Sequence, residues 1–93
     1  LARVPSSAVL HGYLADVCWK LDENEEALAA VARAHELDRD YPWAWNAHVS
    51  WLALLERDEE ALAVAEDCAR SNPRWSLAHQ LLARAYRALG RNE

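Results

Sequence analysis

Apolar residues recur three and four apart along most of the chain. Leu10, Leu14, Val17, Cys18 and Leu21 mark one helical face, and Ala27, Leu28, Val31, Ala34 and Leu37 mark a second. The same spacing predicts helices over residues 43–55, 59–70 and 75–89. Polar breaks separate them. Asp22-Glu23-Asn24 supplies turn and cap chemistry, because Asn and Asp side chains satisfy free N–H groups at a helix start. Asp38 to Pro42 interrupts the second helix, and Asn72-Pro73 ends the fourth, since the residue before proline avoids helical geometry. Ser6 and Ser7 are expected to cap the first helix and Gly90 to cap the fifth. Long alternating Val/Ile/Thr runs are missing, so strands are not expected.

The five helices are related by a period. Glu25-Glu26-Ala27-Leu28-Ala29 recurs 34 residues later as Glu59-Glu60-Ala61-Leu62-Ala63. Leu21, Leu55 and Leu89 share the spacing, as do Ala44 and Ala78, and Arg57 and Arg91. His11, Trp45 and His79 form a bulky series, and Ala15, Val49 and Ala83 a smaller one. The frame divides the chain into residues 1–5, matching the end of a preceding second helix, then 8–41, 42–75 and 76–93. Both outer pieces are incomplete units in this frame. A neighbouring repeat or a partner is therefore expected to cover an open end.

Composition adds three constraints. A chain of 93 residues buries only about 60–65 % of its unfolded surface, so its stability margin is thin. The net charge of −5 disfavours nucleic-acid and membrane-surface binding, which need a net basic face. That charge is uneven. Residues 1–67 hold five Lys/Arg against fourteen Asp/Glu, whereas residues 68–93 hold five Arg against Glu93 alone. Cys18 and Cys68 form no C-x-x-C pair and read as reduced core thiols, which fits a cytoplasmic location.

A helix–turn–helix unit of this length resembles the tetratricopeptide repeat. Trp45, His48, Val49, Leu52, Ala61, Ala65 and Pro73 stand at that family's pattern positions in the second unit. The first unit offers His11, Leu14, Ala15, Cys18, Ala27, Val31, Ala34 and Arg39, and the third half-unit His79, Leu82, Ala83, Tyr86 and Gly90. The pattern departs at His48, Val49 and Ala65. The resemblance implies an all-α fold, a right-handed α-solenoid of antiparallel helix hairpins with about 2.5 repeats and five helices. It also implies close helix approach at Ala15, Ala27, Ala61 and Ala83, where a larger side chain would overpack the contact at a cost of about 1–3 kcal/mol.

In that family the first helix of each hairpin lines a concave, partner-binding surface. Carried onto this sequence, the surface comprises Val9, Gly12, Asp16, Trp19 and Lys20, then Trp43, Asn46, Ser50 and Ala53, then Leu77, Gln80, Arg84 and Arg87. The best-known ligand chemistry of the family is a Lys/Asn/Arg clamp for a C-terminal carboxylate. The matching places here read Gly12, Asp16, Ala47, Leu77 and Leu81, so that clamp is absent. Arg84 and Arg87, three apart on one helix, suit an acidic peptide segment through bidentate hydrogen bonds. Asp16, Trp19, Lys20, Trp43, Asn46, Ser50 and Gln80 complete the candidate partner-binding set. Trp45 and Trp51 are expected in the core, and Tyr41 and Trp75 as staples between repeats.

Nothing in the pattern asks for catalysis or a cofactor. The four histidines show no i, i+4 pair and are expected to pack, and no phosphate-cradling glycine loop occurs. Acidic residues 22–26 and 58–60 sit at helix starts, where negative charge complements the dipole. Tyr41-Pro42-Trp43-Ala44-Trp45-Asn46 is also similar to repeats of the helical subunit of protein prenyltransferases, over a much shorter span. The expected function is a non-enzymatic scaffold that binds a protein or peptide. Self-association, giving a homo-oligomer through the open repeat ends, and docking within a larger protein are the alternatives.

Overall fold

The computed structural model describes residues 7–90. Five α-helices follow one another: α1 (Ser7–Lys20), α2 (Asn24–Leu37), α3 (Pro42–Leu54), α4 (Asp58–Ser71) and α5 (Ser76–Gly90). No strand occurs among the described residues. α1 and α2 fall within 8–41 apart from Ser7, α3 and α4 within 42–75, and α5 within 76–93.

Local chemistry explains the boundaries. Pro42 opens α3, where its missing N–H costs nothing. Glu25 and Glu26 in the first turn of α2, and Asp58, Glu59 and Glu60 in that of α4, face the positive end of the helix dipole. The turn at residues 22–24 works differently from the sequence expectation. No side-chain cap bond forms at the start of α2. Asp22 instead takes a left-handed conformation (φ 62°) that closes the end of α1. The Glu23 amide bonds to the Cys18 carbonyl at 2.9 Å and the Asp22 amide to Trp19 at 3.1 Å, the two bonds of a Schellman cap. Gly90 is still helical, so it does not cap α5, and the cap expected at Ser6 lies outside the described residues.

The period is visible in the backbone. Glu56, 34 residues after Asp22, is the other non-glycine residue with positive φ (60°) among those described. Its cap repeats the first: Arg57 amide to Leu52 carbonyl at 2.8 Å, Glu56 amide to Ala53 at 3.0 Å. The connections between hairpins also match. Asp38 amide to Ala34 and Tyr41 amide to Asp38 recur as Asn72 to Cys68 and Trp75 to Asn72. One side-chain bond repeats as well. The Trp45 indole N–H donates to the Arg39 carbonyl at 2.8 Å, and His79 Nε2 donates to Pro73 at 2.9 Å, with the histidine standing in for the tryptophan.

Each helix packs on the next, and α3 also packs on α5. α1 reaches α3 through Trp19, which stacks on Trp51. The first, third and fifth helices therefore share one side and α2 and α4 the other, in an elongated body of 53 × 32 × 14 Å. Trp45, Val31, Val49, Cys68 and Leu81 fill the centre. Ala15, Ala27 and Ala61 are fully or nearly fully buried at the helix contacts.

Two expectations fail at the ends. Leu10, Leu14, Val17 and Leu21 are 50 to 65 % exposed, and α1 buries Ala8, Gly12, Ala15 and Cys18 instead. Ala83 is exposed although its equivalents Ala15 and Val49 are buried. Both departures have one cause. Among the described residues no helix precedes α1 to cover the first set, and none follows α5 to cover the second.

Candidate functional site

The side formed by α1, α3 and α5 gathers most of the expected binding residues. Their stations repeat while their chemistry changes: Gly12, Asn46 and Gln80 are one series, Asp16, Ser50 and Arg84 a second, Trp19, Ala53 and Arg87 a third. A negative side chain near one end thus gives way to two positive ones at the other.

At the α5 end, Arg84 donates to the Ser50 hydroxyl at 3.0 Å, which lays its guanidinium across α3. Arg87 and Gln80 are exposed and Asn46 is half-buried. At the α1 end, Lys20 pairs with Asp16 at 3.0 Å, both side chains being open to solvent. Exposed pairs of this kind contribute at most about 1 kcal/mol.

Between them the aromatic rings form a linked cluster. Trp19 and Trp51 stack almost parallel, with centroids 4.7 Å apart. Trp43 meets Trp51 edge-on at 6.1 Å and tilts against Tyr41 at 6.0 Å. Trp51 is buried and Trp19 half-buried, whereas Trp43 remains 38 % exposed. Trp19 therefore spends one ring face on packing, and Trp43 keeps part of its ring open to solvent. Gly12 lets α1 approach this cluster. A Cβ there would meet the Tyr41 hydroxyl at 3.0 Å and Trp43 Cζ3 at 3.2 Å. Gly12, Tyr13, Asp16, Tyr41 and Trp43 line an open hollow of 340 Å³. Burial, with the nearby Tyr13 and Asp38, raises the pKa of the Tyr41 hydroxyl.

A second hollow, of 480 Å³, lies against the exposed stripe of α1 and is lined largely by apolar groups, among them Leu14, Cys18, Ala29 and Ala30. A third, of 330 Å³, lies at the turn between α3 and α4. Among the described residues its one cation is already engaged: Arg57 bonds to Glu60 at 2.6 and 2.8 Å and reaches back to Glu25 on α2 at 2.7 Å. The hydrogen bonds from Arg57 hold the Glu60 carboxyl below its ordinary range.

One polar pair escaped the sequence reading. His35 of α2 and His48 of α3 share a proton between Nε2 and Nδ1 at 2.8 Å, in the joint between the two hairpins. The His35 ring stacks on Trp45 at 3.8 Å, and its buried Nδ1 has no partner. A bare acceptor is less costly to bury than a bare N–H, so the shared proton belongs on His35 Nε2. Both imidazoles are pushed down to about 4. Burial is the main cause for each. The Arg39 charge adds to it at His35 against Asp67, and His35 and Arg57 add to it at His48 against Glu60. The available signal was a departure from the period: His48 occupies the station of Leu14 and Leu82.

Cys18 and Cys68 are free thiols, and burial pushes the Cys68 thiol up to about 11, which keeps it a poor nucleophile. Among the described residues no group of three or more His, Cys, Asp or Glu side chains is placed to hold a metal ion. No described helix is long and apolar enough to cross a membrane. No family model matches the chain, and no curated protein matches it.

Proposed function

We propose that the chain is a non-catalytic scaffold of the tetratricopeptide-repeat kind that holds a peptide or protein along the concave side formed by α1, α3 and α5. One observation carries this reading. Backbone caps and the connections between hairpins recur at 34 residues with the same hydrogen bonds, while the stations on that side change character from Gly12, Asp16 and Trp19 to Gln80, Arg84 and Arg87. Packing demands similarity between repeats. Recognition of an extended partner demands difference from one station to the next. Arg84 and Arg87 would take an acidic segment, and Trp43 with Asn46, Ser50 and Gln80 would line its path, with Trp19 and the Asp16–Lys20 pair at the far end.

The test is selection of binders from a random peptide library on the immobilised chain. Enriched peptides should carry Asp or Glu at one end, and the Arg84→Glu/Arg87→Glu variant should lose them while keeping its helical circular dichroism. Recovery of the same peptides by that variant would contradict the acidic-segment assignment.

The exposed stripe of Leu10, Leu14, Val17 and Leu21 favours a second reading, docking of another helix or a second copy at the α1 end. Sedimentation analysis across concentration distinguishes it. Self-association would raise the mass with concentration, and a Leu14→Lys/Val17→Lys variant would hold it at the monomer value.

A further inference from the structure

Three aromatic rings and one carboxylate converge where the first hairpin meets the second. Tyr13 and Asp16 come from α1, Tyr41 from the connection after α2, and Trp43 from the first turn of α3; all four line the hollow over Gly12. The arrangement is held from behind. Trp43 rests edge-on against buried Trp51, which is itself stacked on Trp19. Gly12 leaves no Cβ to push the rings outward.

Aromatic faces carry negative potential and attract a cation placed over them, whereas an anion gains nothing there. The charge around the hollow has the same sense. Asp16 lies in its wall, and the Asp38 charge reaches Tyr41. A cation already stands nearby: the Lys20 ammonium, 3.0 Å from the Asp16 carboxylate. That pair is exposed on both sides, so an incoming cation can displace it. The other end of the same side carries Arg84 and Arg87 and has the opposite preference.

We infer that this hollow is a subsite for a cationic side chain, an ammonium or guanidinium group, of the peptide bound along the inner side. The inference rests on the proposed function and gives the partner a polarity. A basic residue sits against Trp43 and Asp16, and acidic residues sit towards α5.

The test is a titration of the chain followed by the indole N–H signals of its tryptophans, with choline and with its uncharged isostere 3,3-dimethyl-1-butanol. Choline should move the Trp43 signal saturably, and the isostere should bind about tenfold more weakly, because only the charge differs. Lys20→Gln removes the internal competitor and should tighten choline about two- to fivefold, while Asp16→Asn should weaken it by a similar factor. Both side chains are exposed, so neither change endangers the fold. A blocked tripeptide with central trimethyl-lysine should bind more tightly than choline. Equal binding of choline and the isostere, no shift at Trp43, or no gain with Lys20→Gln would overturn the subsite. Choline binding more tightly than the tripeptide would overturn its assignment to a peptide side chain. Failure here with acidic peptides still selected would leave the proposed function standing. Selective choline binding with no peptides selected would remove that function and the peptide subsite with it, leaving a pocket for a small ammonium.

Discussion

Leu10, Leu14 and Val17 on α1, with Leu21 just after it, occupy the same stations as Ala44, His48 and Trp51 on α3, with Leu55 just after it. The α1 set stands half or more exposed. On α3, Ala44 and Trp51 are buried, His48 is tied to α2, and Leu55 packs against the core. At the other end Ala83 and Tyr86 are exposed, while their equivalents Ala15, Val49, Cys18 and Leu52 are buried. The helices are alike and their neighbours are not. α3 has a helix before and after it, α1 lacks the first among the described residues, and α5 lacks the second. Burial in a stacked fold thus belongs to the joint between units, and the residue pattern marks only the face on which a joint can form.

Among the substitutions Trp51→Ala should have the largest effect, destabilising the chain by about 3–5 kcal/mol in denaturant unfolding, because it empties a covered station and removes the support of Trp19 and Trp43. Acid comes next. The unfolded chain takes up protons on its histidines near pH 6.5, whereas His35 and His48 in the folded joint resist protonation until about pH 4. The stability this pair contributes is complete above pH 6.5 and is lost as the pH falls from there to 4, at about 1.4 kcal/mol per pH unit for each proton bound in excess by the unfolded state. Unfolding midpoints measured across that window should fall, and a His35→Ala/His48→Leu variant should flatten the decline.

Smaller effects test the caps and the open face. Glu56→Gly should stabilise by about 0.5–1 kcal/mol, because a left-handed conformation is costly for glutamate and free for glycine. Asp22→Gly should gain less, since aspartate tolerates that region better. Val17→Ala, at the station of Trp51, should change stability by less than about 0.5 kcal/mol. A loss of several kcal/mol there would show that the α1 stripe is covered in solution.

The period made the helices and their order legible, because a repeated five-residue match and apolar spacing act locally. Cap geometry was less so. Asp22 and Asn24 have side chains suited to an N-terminal cap, yet the backbone spent Asp22 on closing α1. The His35–His48 pair joins residues on different helices, and only the oddness of a histidine at a leucine station hinted at it. Of the candidate site, the Arg84 bond to Ser50 and the seat of Trp43 against Tyr41 and Trp51 appear only in the structure. The convergence of Tyr13 and Tyr41 over Gly12 depends on how α1 meets α3, which no spacing along one helix encodes.

If the proposed side formed by α1, α3 and α5 is the binding surface, titration of one library-selected peptide against two charge-reversed variants will separate that side from the opposite one. Arg84→Glu/Arg87→Glu alters that side, and Arg33→Glu/Arg70→Glu makes the same change in charge at exposed positions on α2 and α4. The first should weaken binding at least about tenfold, as expected for lost charge-assisted hydrogen bonds, and the second should leave it nearly unchanged. Loss of binding in the second variant with retention in the first would place the partner on α2 and α4 and contradict the claim.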